Sequence, residues 1–444
     1  MERNETMNYT QRLIDDMNQS PCSYFVVNTI ANTLTQAGYT ELKEYECWNI
    51  EEGKGYFVKR IQSSIFAFRM GEQMTKDYHF QVVASHSDSP TFKLKDNPEL
   101  DAKGNYTKFS IEGYGGMIAA SWVDRPLSIA GRVLVRNGSK IEHRLLNVDK
   151  DILIIPNMAI HVNNGVNKGF EYKPSTDLQP IFSIGDAKAN CYNEMLAETL
   201  NVKVEDIVAR DIVLYNRAKV TQWGWENEFI SGPRIDNQFS AFTSLYAFMD
   251  AKVPTSQINV HCVFDNEEVG STSKQGAKST FLRDVIERIG AHLNCDEETI
   301  RCAIAKSFMV SCDNAHAIHP GHPERADRSE FICMNQGIAI KHHANQRYST
   351  DAFSAAIIRE ICQRANVPYQ EYSNNPDMLS GGTLGILSSE KVSMHTVDIG
   401  TAQLAMHSSY ETAGVKDIDH MVNGLTAYYQ SKILIRDSDE IEII

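Results

Sequence analysis

The chain reads as an α/β protein: a layered, mostly parallel sheet with helices on both faces, interrupted by a β-rich insertion. Three observations predict it. Strand-like and helical runs alternate on either side of a long middle stretch, the pattern of a parallel sheet whose crossovers are helices. That middle stretch, residues 92–232, holds short strand-like runs separated by Gly, Asn and Asp clusters, with few helical patterns. At 444 residues the chain is also long for a single core, so two domains are expected. The division read from these patterns is a discontinuous domain over 1–91 and 233–444 and a smaller one over 92–232.

Taken in order, the first helix covers Ser23–Gln36 and is stopped by Gly38. The runs SSIFAFRM (63–70) and HFQVVASH (79–86) follow as paired strands, with His86 at the exit of the second. Inside the insertion, LSIAGRVLVR, DILIIP and DIVLYN read as strands. EGYGGM (112–117) lacks the Lys-Ser/Thr of a phosphate loop and reads as a turn. After Pro233 come the helix FSAFTSLYAFMDA, the strand INVHCVF and the helix STFLRDVIERIGAHL. The strand AIAKSFMVSC, the helix DAFSAAIIREICQRA, the strand VSMHTVDIG and a last helix near 417–431 complete the pattern. Internal repeats and low-complexity tracts are not apparent.

Composition narrows the function. A hydrophobic share of 42% with 23% charged residues is that of an ordinary globular protein. No apolar run approaches the ~18 residues of a membrane span, so no membrane partner is expected. The opening MERNETMNYTQRLIDDMNQS has no apolar stretch of the signal-peptide kind, and the expected address is the cytoplasm. A formal net charge of -14 argues against nucleic acid as a partner. The 9 cysteines are scattered and form no CxxC pair, which argues against a zinc ribbon and a thioredoxin-type site. Without a Gly-x-Ser-x-Gly elbow, a serine hydrolase mechanism lacks its signature.

The reactive side chains recur at strand ends, where open α/β sheets gather their chemistry. QVVAS delivers His86 and Asp88; GPRID delivers Asp236; INVHCVF delivers Glu267 and Glu268; SFMVSC delivers Asp313; and His407 follows VDIGTAQLAM. Each alone has an ordinary explanation. An Asp at a strand end is commonly a helix cap, a Glu pair suits a helix start, and a histidine beside Met406 fits a core. Five distant segments ending alike are better explained together. A two-metal hydrolase needs a carboxylate that can bridge the ions, His and carboxylate ligands on each side, and a free carboxylate to carry a proton. Adjacent glutamates can divide these tasks. Asp88 is placed to accept a hydrogen bond from His86 and orient it. Nitrogen and oxygen ligands without thiolate suit zinc, manganese or cobalt.

At these residues the chain resembles the aspartyl aminopeptidase family of di-metal (zinc) aminopeptidases. The resemblance runs through ASHSDSPTFKLK (84–95), WVDRPLSIAGRV (122–133), LLNVDKDILIIPNMAIHVN (145–163), RIDNQFSAF (234–242) and FDNEEVGSTSKQGAKS (264–279). It continues through SCDNAHAIHP (311–320), NQRYSTDA (345–352) and VDIGTAQLAMHSSYETAG (397–414). It implies a zinc-peptidase-like fold whose insertion serves dimerisation, and two divalent metal ions, zinc first among them. His86 and Asp313 would hold one ion, Glu268 and His407 the other, with Asp236 bridging and Glu267 as general base. His161 would reach a neighbouring subunit's site, His316 would lie near substrate, and Lys341 would pair with an acidic first residue of the peptide. The implied assembly is a homo-oligomer, a dodecamer built from dimers.

The chain departs from the family in two places. Lys341-His342-His343 stands where Lys-x-Asn is usual, and Met378-Leu379-Ser380-Gly381-Gly382-Thr383 replaces a Pro-Cys-Gly-rich turn. Both lie around the expected specificity pocket, so a broad aminopeptidase for neutral residues is the competing enzyme reading. A cage-forming protein without catalysis is the non-enzymatic one, and the six intact key positions weigh against it. For His319 a structural role is expected, and for His322, His342 and His343 exposed loop positions.

Overall fold

The computed structural model describes residues 8–185, 190–437 and 440–444. A nine-stranded mixed sheet forms its centre. The inner strands Gln257–Phe264, His79–His86, Phe308–Cys312 and His395–Gly400 lie side by side and parallel. Antiparallel pairings appear where Ser64–Met70 meets Gln257–Phe264 and where Ile338–His342 meets His395–Gly400. Every residue of His79–His86, Gln257–Phe264 and Phe308–Cys312 is buried, as expected of parallel strands covered on both faces.

Two cores result, because alternate side chains leave opposite faces of the sheet. Val83 and Val263 join the helices Tyr9–Asn18, Ser23–Gln36, Ile235–Asp250, Ala352–Arg364 and Lys416–Gln430 on one face. Phe80, Val82, Ala84, Val260 and Cys262 join Phe281–His292 and Glu297–Ala305 on the other. The α/β layering read from the sequence is therefore present, with helices on both faces.

The insertion carries its own six-stranded antiparallel sheet and its own core, which includes Phe92, Phe109, Ile129, Val133 and Leu214. The strands of that sheet lie between Thr91 and Asn216. The next strands, Thr221–Trp223 and Phe229–Gly232, join a five-stranded sheet with Glu411–Gly414, Ala402–Leu404 and Ala315–His316. This small sheet ties the end of the insertion to the C-terminal half.

Several local readings need correction. A helix, Tyr9–Asn18, precedes the one read as first. AIAKSFMVSC is strand only over Phe308–Cys312; its first residues close the helix Glu297–Ala305, where Asp296 caps the Thr299 amide and Ile300 and Ala303 face inward. DILIIP makes only isolated bridges, Leu127 with Leu153 and Ile154 with Ile181. The insertion also contains a helix, Cys191–Leu200.

Candidate metal centre

Strand register brings the predicted residues together. Phe264 pairs with His86, so the chain leaving Phe264 emerges beside His86 and delivers Glu267 and Glu268. Ser311 pairs with Ala84 on the other side of that strand, which places Asp313 on the opposite flank. Asp236 comes from the small sheet, where the chain leaves Phe229–Gly232 for the helix Ile235–Asp250. His407 follows Ala402–Leu404 of the same sheet. Arg234, Asn266 and His407 all have left-handed backbones (φ +63°, +63° and +65°). Non-glycine residues held this way each cost about 1–3 kcal/mol, and such conformations cluster at functional sites.

Asp236 sits at the centre. Its Oδ1 lies 3.5 Å from His86 Nε2, and its Oδ2 lies 3.4 Å from His407 Nε2. Asp313 Oδ1 is 3.6 Å from His86 Nε2, and Glu268 Oε2 is 3.4 Å from His407 Nε2. Ligand atoms of His86, Asp236 and Asp313 lie within 4.8 Å of one another, as do those of Asp236, Glu268 and His407. Asp236 Oδ1 is buried without a hydrogen-bond partner, a costly state for a carboxylate oxygen unless a cation meets it. The donor set and this orphaned oxygen fit a divalent ion at Asp236. Glu267 belongs to a third group, with His86 and Glu268.

Supporting groups orient these side chains. His86 Nδ1 lies 3.1 Å from the Asp88 carbonyl oxygen and 3.3 Å from its Oδ1. The Asp88 carboxylate also accepts the amide N–H groups of Glu267 and Glu268, both at 3.2 Å. Lys341 is 2% exposed and donates to the carbonyl oxygens of Asp313 and Asn314 at 2.8 and 3.0 Å, with Asp313 Oδ2 at 3.4 Å. Burial opposes charge on Asp313, yet Lys341 and His86 hold its carboxyl well below the usual range. For Glu267, burial, resisted by His86 and aided by Asp313 and Asp88, pushes the carboxyl up to about 8.

Of the remaining predicted residues, His316 ends the strand Ala315–His316 and lines a cleft with Arg325, Tyr372, Met378 and Gln403. His161 stands exposed in the turn before Val166–Lys168 and is not part of these ligand groups. His342 and His343 are half-buried rather than exposed; they meet Glu371 Oε2 at 2.7 Å and Ser380 Oγ at 2.8 Å. Two participants escaped the sequence reading. Glu411 accepts the amide N–H groups of Asp236 and His407, at 2.9 and 2.7 Å. Tyr114, inside the segment read as a turn, ends the strand Tyr106–Tyr114 and donates to Asp88 Oδ2 at 2.7 Å. Neither carries a signal of its own: one is a Glu within a strand, the other a Tyr beside glycines.

Comparison with known proteins places the chain in a family. Residues 17–429 match the model of a family described as aminopeptidase I zinc metalloprotease (M18). A probable M18 family aminopeptidase 2 from Clostridium acetobutylicum is 41% identical over 420 residues, spanning 94% of this chain and 96% of that protein. Among solved structures, one of the Ape4 and Nbr1 complex superposes with a TM-score of 0.92 at 31% identity, covering 97% of this chain and 88% of that one. The S. cerevisiae mApe1 dodecamer superposes with a TM-score of 0.83 at 25% identity, covering 95% of this chain and 96% of that one. The chain belongs to the M18 family of zinc metalloproteases, which makes it a metal-dependent aminopeptidase.

Proposed function

We propose that the enzyme works with two divalent ions, zinc first among the candidates, and removes N-terminal residues from peptides, with acidic residues preferred. His86 and Asp313 would hold one ion and Glu268 and His407 the other, with Asp236 shared between them. The observation that carries this reading is Asp236, whose two oxygens face His86 and His407 at 3.5 and 3.4 Å. When bound, the ions supply Lewis acidity and lower the pKa of water at the site. Glu267 stands outside both groups that share Asp236 and is the free carboxylate. It takes the proton of the attacking water and returns it to the departing amine. Asp88 keeps Glu267 and Glu268 in place through their backbone amides. His316, on the rim of the adjoining cleft, supplies a polar group toward the substrate.

The acidic preference rests on Lys341, the buried cation behind Asp313. A substrate carboxylate would share that ammonium with Asp313, and this sharing favours the second reading, a broad aminopeptidase for neutral residues. A dipeptide-library assay on chelated protein reconstituted with zinc, manganese or cobalt in turn tests both. Fastest release of Asp and Glu supports the first; Leu or Ala released as fast or faster supports the second.

The same proposal extends to assembly as a homo-oligomer of dimers, up to a dodecamer like the one named for mApe1. Met158, Ile160 and Val162 are 47%, 49% and 73% exposed in the loop that carries His161. Apolar side chains displayed together in this way suit a subunit contact. There His161 would enter a neighbour's site. Light scattering that finds a monomer would refute this extension.

A further inference from the structure

Glu411 is buried, 1% exposed, and among the described residues its carboxylate makes no ion pair within 4.0 Å. A lone carboxylate in such a place is expensive, since desolvation costs several kcal/mol. Its two oxygens are instead divided between two backbone amides. Oε2 accepts from Asp236 and Oε1 from His407, residues far apart in sequence. Pairing of Gly232 with Glu411 sets the glutamate beside the point where the chain turns toward Asp236. The other amide belongs to a residue with a left-handed backbone, φ +65°, which needs outside support to persist.

We propose that Glu411 is a positioning residue that assembles one of the two ion positions, the one formed by Asp236, Glu268 and His407. The clamp fixes Asp236 and His407 relative to each other, and their side-chain atoms then stand 3.4 Å apart. The other position draws on His86, Asp313 and the shared Asp236; of these Glu411 holds only Asp236, whereas it holds both Asp236 and His407 of the first. Loss of the clamp therefore weakens the position with His407 more than the other. This inference rests on the two-ion reading above.

The test is calorimetric titration of zinc into chelated wild-type protein and into Glu411→Gln. The glutamine fills the same space but accepts with only one terminal atom, so one amide faces an NH2 group. The expected result is two ions bound by wild type. In the variant, the position with His407 is weakened about 10-fold or more, roughly the effect of losing one hydrogen bond to a charged group, and the other clearly less. In the His407→Ala background the same substitution should add less further loss, because the imidazole that one arm of the clamp positions is gone. Should Glu411→Gln not fold, Glu411→Asp, which keeps the charge but shortens the reach, is read the same way. A wild type that binds a single ion defeats the two-ion reading itself. Two ions in wild type with equal weakening of both, or of neither, in the variant overturns the role of Glu411 alone.

Discussion

Tyr114 reaches out of the β-rich insertion and donates its hydroxyl hydrogen to Asp88 at 2.7 Å. Asp88 in turn receives the amides of Glu267 and Glu268, and Asn266 donates to the Tyr114 oxygen at 2.8 Å. The nearby Gly115 packs so closely that a Cβ there would meet Glu268 Cβ at 3.0 Å. Replacement Tyr114→Phe should lower kcat about 10-fold, the scale of one hydrogen bond to a charged group. KM and zinc content should stay near wild type, since no ligand is removed. Steady-state kinetics with metal analysis measures this; an unchanged kcat would show that the contact is structural only.

Glu267→Gln removes the proposed proton carrier without altering shape. Turnover should fall by about 10²–10⁴-fold, the usual range for a general base, while zinc binding persists. A variant with wild-type turnover would remove Glu267 from this role.

Lys341 and Asp313 form a buried pair, and breaking such a pair costs about 3–5 kcal/mol. Lys341→Met should therefore lower Tm and weaken zinc binding through Asp313. Comparing Asp- and Leu-anilide hydrolysis in the same variant isolates specificity. If Lys341 reads an acidic substrate, the Asp/Leu ratio collapses; if only both rates fall together, its role ends at Asp313.

Chelation should abolish activity and leave clustered carboxylates facing one another around Asp236. Zinc bound only by the folded form stabilises it by about 4 kcal/mol per site at a thousandfold excess over Kd. Tm measured against free zinc should rise accordingly, and a Tm independent of zinc would contradict a resident ion.

His261 lies buried in the central sheet against Phe248, with neither ring nitrogen hydrogen-bonded. Burial holds its pKa down from 6.5 to about 3. The unfolded chain thus gains a proton there before the folded one does, so stability is full above pH 6.5 and is lost as pH falls toward 3. His261→Leu lacks this loss. The stability of wild type minus that of the variant, from denaturant curves, should shrink as pH drops through this window.

Much of this was legible in the sequence because its signals are local. Buried parallel strands read as apolar runs, and polar residues at their ends mark the exits, so His86, Glu267, Glu268 and Asp313 stand out without coordinates. The edge strand Tyr369–Ser373 and its neighbour Ile338–His342 were missed. So was the change from helix to strand inside AIAKSFMVSC, where apolar residues run across the boundary. Register across the small sheet was also out of reach. Opposing Gly232 to Glu411 depends on a pairing between distant segments, and that pairing makes an ordinary glutamate part of the site.

The spread of the proposed ligands from His86 to His407 also governs when the centre can exist during synthesis. A nascent chain exposes His86 and Asp236 long before the ribosome has made His407, the last ligand of the set. Domains fold as units, and a metal site rarely exists before its fold does. On the proposed ligand set, products of interrupted translation that end short of His407 lack one side of the centre. On that reading, hydrolytic capacity waits until synthesis has passed His407.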